Sequence, residues 1–399
     1  MRVTIWAVAF LALCALSFAP ARAMSTVEFL DSLSSSEAEQ FQAWRTARSA
    51  YDAKLDAYWE SVESKRQARK KKRSAKLPFS EADYVMSFPP KYEGPKLSGS
   101  LAQKYEKFSD EQDKARPSPP KELSTVADYV EAAKRVYGFV PERVSEKEFK
   151  RRYAQEAVAL GLRKDQVVRI YALETGGIGT YDMQAGIHPV KKTGRAISSA
   201  LGYAQLLDAN SVNELVQNGD KFVERLQQKA ASPGISGARR AGLKAKALAV
   251  RKMYLAAKRV PFEWQRHQAY AKTLEGMGPH ALNLDADVGP MLQAVKLKGL
   301  KETAEKFERP DLSGAEMEAM NLAGPVTGLE MMLPAGQKAP VTNFFARRAY
   351  YVNKMVIGLT GAELLAELDR RMTSDVKTPG SAEFAEAFDA VKNARSAGR

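Results

Sequence analysis

From residue 124 onward the chain is a succession of runs that repeat apolar residues every three to four positions, and stretches alternating in period two are scarce. A repeat near 3.6 collects apolar side chains on one helical face, whereas a half-buried strand needs period two. The chain is thereby restricted to an all-α or mostly α fold. The run "STVADYVEAAKRVYGFV" opens on a Ser or Thr cap and lines up Val126, Tyr129, Val130, Ala133, Val136 and Tyr137. In "SEKEFKRRYAQEAVALGL", Ser145 stands three residues before Glu148, the spacing of a capping box, and Gly161 supplies a stop. "RKDQVVRIYALETGG" carries Val167, Val168, Ile170, Tyr171 and Leu173, a stripe that belongs in the core. Further helices are expected over 198–208, 212–230, 237–257, 262–275, 289–308, 340–357 and 360–372.

Residues 1–23 have a different character. An Arg near the start, an apolar run from Val3 to Phe18 and the closing Ala21-Arg22-Ala23 form the layout of a secretory signal peptide, cut after Ala23. The expectation is an exported protein, periplasmic in a Gram-negative cell. No later segment is apolar enough for a transmembrane span. The single cysteine, Cys14, falls inside the leader, which leaves the rest without disulfides, thiolate metal sites or a cysteine nucleophile. His188, His267 and His280 lack metal-ligand spacing and read as surface or loop positions, so neither metal nor cofactor is expected.

The chain carries 61 Lys and Arg against 47 Asp and Glu, for a formal charge of +14, and only Arg2 and Arg22 of these cations lie in the leader. An exported basic protein implies an anionic partner, such as a cell-wall polymer or lipid head groups. Nucleic acid is not expected, because the run Lys70 to Arg73 has no interleaved aromatic residues to stack on bases. It lies within the run "KRQARKKKRSAK" (Lys65 to Lys76), which ends a helical stretch from Thr26 to Arg73 and is either a solvated helix end or a docking patch for a wall polymer or protein partner. The proline-rich stretches "FPPKYEGPKLSG" and "RPSPPKE" follow. The division expected is a leader (1–23), a helical and proline-rich basic arm with no core of its own (24–123), a main helical domain (124–372) and a tail with one short helix (373–399).

The stretch "YALETGGIGTYDMQAG" carries the candidate chemistry. Glu174 ends an apolar helix and is followed by Thr175 and two glycines, which can take the left-handed conformation that stops a helix. A carboxylate at the negative end of a helix, among apolar neighbours, is harder to ionise. Such a group can keep a proton near neutral pH and deliver it to a leaving group. Downstream, "SSALGYAQLLDANSV" places Ala200, Gly202, Gln205, Leu206 and Asn210. A helix-ending E-[ST]-G followed by A-x-G-x-x-Q-[LI]-x-x-x-[TN] resembles the soluble lytic transglycosylases of the lysozyme superfamily.

The resemblance is clearest over 174–212 and looser over 126–360. It implies a lysozyme-like helical domain and cleavage of peptidoglycan glycan strands with Glu174 as the catalytic acid. Gly202, Tyr203 and Gln205 then fall at the substrate, and Tyr351, or Tyr350 beside it, matches the tyrosine of the family's closing segment. Tyr203 and Ala204 stand where the family has Leu-Met, and no A-Y-N-A-G motif is present. In a transglycosylase Glu174 alone suffices as acid and base, because the muramyl 6-hydroxyl is the nucleophile and a 1,6-anhydro product forms. A muramidase would need a second carboxylate, for which Asp182 in the following loop is the nearby candidate, although Asp182 also suits an ordinary turn. A third alternative is a non-catalytic wall-binding scaffold of the same fold.

Overall fold

The computed structural model describes residues 24–115 and 123–397, so the expected leader lies outside the described residues. The fold is all-α: among these residues there is no sheet, only isolated β-bridges. No helix among them is long and apolar enough to cross a membrane. The chain divides into two compact units, one built from 24–57 and 90–115 and the other from 58–89 and 123–397 of the described residues.

The smaller unit contains α1 (Thr26–Asp31), the first part of α2 (Ser35–Ser74) and α3 (Gly99–Ala115). Against expectation it has an apolar core. Phe29, Phe41 and Leu101 are buried, with Trp44, Tyr105 and Phe108 packed around them and Phe29 stacked on Phe108 at 4.6 Å. The aromatic residues that gave α2 its periodicity are what fills it.

The last part of α2 belongs to the larger unit, and the basic residues of this stretch are divided: Lys70, Lys71 and Lys76 are exposed, while Arg69, Lys72 and Arg73 are engaged in ion pairs. Arg69 is 1% exposed, donates through Nη1 to Asp83 O at 2.9 Å and through Nη2 to Asn343 O at 2.8 Å, and pairs with Glu330 at 2.5 Å. Arg73 holds the other Glu330 oxygen at 2.7 Å and Lys72 holds Asp83 at 2.7 Å. A buried ion pair is tolerated only when its remaining polar groups are satisfied, and here the guanidinium uses all three nitrogens.

The body of the larger unit opens with α4 (Val126–Tyr137), α5 (Glu146–Ala159) and α6 (Lys164–Thr175). Then α7 (Asp208–Ala231) and α8 (Gly237–Ala257) form a hairpin whose Leu215, Phe222, Leu243, Val250 and Met253 belong to an extended apolar cluster. After α9 (Trp264–Tyr270) and α10 (Leu274–Met277), α11 (Gly289–Lys306) runs against α5 and α7. The chain closes with α12 (Gly314–Ala323), α13 (Pro325–Met331), α14 (Pro334–Lys338), α15 (Arg347–Val352), α16 (Gly361–Asp375) and α17 (Pro379–Ala397). α12, α16 and α17 all pack on α6.

Four expectations are corrected. Residues 198–207 form no helix, because Leu201 bridges to both Gln184 and Leu206 and takes the backbone bonds a helix would need. The stretch 340–357 is broken, since the Asn343 side chain is captured by the Val85 backbone, accepting from its nitrogen at 2.9 Å and donating to its oxygen at 2.8 Å. His267 and His280 are fully buried, the latter sharing a hydrogen bond with Ser211 Oγ at 2.8 Å. The tail is part of the core: Phe384 of α17 is buried against Tyr153, Tyr171 and Tyr203, with centroids at 5.5, 5.4 and 5.7 Å.

Candidate active site

The two glycines after Glu174 have separate reasons. Gly176 ends α6 in the left-handed conformation, φ 60°. Gly177, φ 66°, lies so close to the start of α17 that a Cβ would sit 1.8 Å from Thr378 Oγ1 and 2.8 Å from Asp375 O. The break in sequence is therefore where the tail helix docks, and its docking fixes the end of α6.

Glu174 is half-buried at that end. Its carboxyl group is hydrogen-bonded to that of Glu318 on α12, which is 1% exposed. Asn321, one turn along α12, bridges the two: its Nδ2 donates to Glu174 Oε1 at 3.1 Å and lies 3.3 Å from both Glu318 oxygens. α12 approaches α6 this closely because Gly314 stands where a Cβ would meet Asp165 O at 2.7 Å. Lys296 of α11 and Glu214 of α7 complete a cluster of three carboxyl groups around one ammonium, contributed by four helices.

Burial is the leading influence on every member. It pushes the Glu174 carboxyl above the ordinary carboxylate range, against the nearby Lys296 charge and the Glu318 hydrogen bond, which favour the ionised form. Burial pushes Glu318 well above that range, and the Glu174 charge adds to it, so Glu318 is the neutral hydroxyl donor of the pair. Glu214 is pushed up to about 7 by burial, with Lys296 and a bond from Asn218 opposing. Lys296 is pushed down by burial and held up by the three carboxylates. Two like groups in contact do not ionise independently, so the pair titrates as a unit above the ordinary carboxylate range.

A cleft of about 730 Å³ opens beside this cluster. Glu214, Lys296 and Asn321 line it, together with Asn210, Asn213 and Trp264. Amide side chains around one exposed indole suit hydroxylated ligands that carry both polar edges and apolar ring faces. Leu207 and Asn210, at the end of the second motif, reach this wall, and Asn210 Oδ1 accepts from Leu207 N at 3.1 Å.

Glu174 and Glu318 are not themselves among the residues that line the cleft, and the other expected site residues are placed elsewhere. Gly202 is buried and packed on the Gln293 side chain rather than open to a ligand. Tyr203 is 1% exposed, donates to Glu146 and meets Tyr171 edge-on at 4.7 Å, so it works as core. Gln205 Nε2 donates to Gly202 O at 2.8 Å and holds the loop. Asp182 is tied to Lys192 at 2.8 Å and accepts from Thr180 Oγ1 at 2.6 Å. Those contacts hold its carboxyl below the ordinary range although burial works the other way. Tyr350 is buried with its hydroxyl accepting from Gly358 N at 2.9 Å, and Tyr351 is 43% exposed with its hydroxyl accepting from Trp59 Nε1 at 3.5 Å. Neither lines the cleft. Both tyrosines are drawn to the Trp59 ring of α2, with centroids at 5.7 and 6.0 Å.

No protein-family model, curated protein or solved structure matches this chain.

Sequence reasoning missed Glu318, Asn321, Lys296 and Glu214. One signal was available: Ser313 stands three residues before Glu316 in "SGAEMEAMN", a capping box that is realised with Ser313 Oγ accepting from Glu316 N at 3.2 Å. It would have announced α12, and with it a second glutamate on an apolar helix.

Proposed function

We propose that the protein is a peptidoglycan lytic transglycosylase of lysozyme-like fold in which Glu174 is the general acid and base. The observation that carries the reading is the pairing of Glu174 with the buried Glu318, bridged by Asn321, which lines a polar cleft. In the first step the Glu174 carboxyl gives its proton to the oxygen between N-acetylmuramic acid and N-acetylglucosamine, and the bond from that oxygen to the muramyl C1 breaks. The Glu174 carboxylate left behind accepts the Glu318 hydroxyl hydrogen bond, which stabilises the charge at the moment it forms. The muramyl 6-hydroxyl then bonds to C1 and its proton passes to Glu174, so the acid is restored, no water is consumed and the 1,6-anhydro product forms.

The contact with Glu318 does not provide a hydrolase's second carboxylate. A hydrolase that retains configuration keeps its two carboxyl groups about 5–5.5 Å apart, and one that inverts keeps them about 6.5–9.5 Å apart. Glu318 is in hydrogen-bond contact with Glu174, too close for either role. The second reading is an inverting muramidase with Glu214 as the base, since Glu214 lines the cleft and titrates near neutrality. Mass spectrometry of peptidoglycan digested by the chain and by Glu174→Gln separates them. Anhydro-muropeptides made only by the parent support the transglycosylase, and reducing-end products abolished by Glu214→Gln support the hydrolase. Wall binding without any soluble product supports a scaffold instead.

A further inference from the structure

Outside the cleft, the larger unit carries an apolar trough. A hollow of about 410 Å³ and another of about 470 Å³ adjoin, sharing Pro78, Phe79 and Leu333. Large apolar side chains at the trough stand in solvent: Leu77 is 54%, Phe307 46% and Leu333 37% exposed. Side chains of this size grouped on one exposed surface mark an interaction site.

The charge around the trough has one sign. Glu330 in its wall is neutralised by Arg69 and Arg73, Glu81 is taken by Lys338 and Glu316 by Arg309. Lys306 and Glu308, flanking Phe307, offset one another. Lys70, Lys71 and Lys76 are exposed, and among the described residues no carboxylate pairs with them. Exposed apolar side chains with free lysines nearby, Lys76 in the trough wall and Lys70 and Lys71 in the last turns of α2, fit a surface with an acyl interior under a phosphate layer.

We propose that the trough around Leu77, Phe79, Phe307 and Leu333, with Lys70, Lys71 and Lys76 beside it, docks the protein on an anionic phospholipid membrane. The exposed apolar side chains enter the boundary between head groups and acyl chains, and the lysines meet phosphates. Thr303 of α11 and Pro325 of α13 line the cleft, while Phe307, the residue that caps the end of α11, and Val326 of α13 line the trough, so docking holds the cleft near the membrane surface. This inference stands whether or not the cleft cleaves glycans.

The test is co-sedimentation with phosphatidylcholine vesicles and with vesicles containing phosphatidylglycerol. It uses the full chain and, because residues 1–23 are themselves apolar, also the chain starting at Met24. Both forms should pellet with the anionic vesicles only. Leu77→Ser/Phe307→Ser, at exposed positions, should lower partitioning at least tenfold with unchanged helical circular dichroism. Lys70→Gln/Lys71→Gln/Lys76→Gln should lower it about a hundredfold at low salt, at about fivefold for each lysine near an anionic surface. No partitioning, binding by the full chain alone, equal binding to both vesicle types, or an apolar variant that binds as the parent does would each overturn the proposal.

Discussion

Replacing Glu214 by Gln should stabilise the protein at alkaline pH and not at acid pH. The group is pushed from an ordinary value of 4.5 up to about 7, mainly by burial. A carboxyl with a raised value binds more protons folded than unfolded, so stability is fully present below about pH 4.5 and is lost as pH rises toward 7. At about 1.36 kcal/mol per pH unit, the interval between 4.5 and 7 sets a ceiling of ~3 kcal/mol. The group is only half-buried, and its charge also helps Lys296 stay ionised, so about 2 kcal/mol is the expected gain. Gln keeps an oxygen for the Asn218 bond, which is 3.3 Å long. Thermal unfolding of both proteins at pH 4 and pH 8 measures the effect. Coincident melting at pH 4 and a variant several degrees higher at pH 8 is the expected result. An equal difference at both pH values would refute the claim that Glu214 is desolvated, and with it the electrostatic account of the cluster.

Glu318→Leu should move the alkaline limb of the pH–activity profile upward, because the Glu174 carboxylate loses a hydrogen bond that favours it, whereas Glu318→Gln, which keeps a donor, should leave the limb in place. Initial rates across pH decide this, and identical limbs in both variants would remove Glu318 from the proton path. Arg69→Ala should destabilise the larger unit by about 3–5 kcal/mol in denaturant titration, since it leaves the buried Glu330 with only Arg73. Gly177→Ala should cost at least ~2 kcal/mol through its positive φ and its contact with the start of α17, and peptidoglycan digestion should weaken with it. Asp182→Asn should leave the product spectrum unchanged in the same mass-spectrometric assay, because that carboxylate is spent on Lys192 and Thr180.

The helical class, the approximate bounds of α4, α5, α6, α8, α11 and α16, and the place of Glu174 at a helix end were legible in the chain itself, because they rest on local physics. Ser145 caps α5 from three residues away. Gly176 stops α6 at the next residue but one after Glu174. Periodicity likewise marks which face of α6 goes inward. What surrounds Glu174 could not be read this way. Glu318 and Asn321 are more than 140 residues further on, and they reach it only because Gly314 admits α12 against α6. The same contrast governs the residues assigned by motif. Tyr203, Tyr350 and Tyr351 were expected at the substrate, but aromatic side chains go where partner rings leave space, and here those partners are Tyr171 and Trp59. The basic run is the clearest instance: as sequence it is a line of charge, while in the fold Arg69 turns inward to Glu330 and Lys70 and Lys71 turn out. Local propensity and capping act over a few residues and are written in the sequence; desolvation and charge pairing depend on which distant helices meet, and only the tertiary structure decides that.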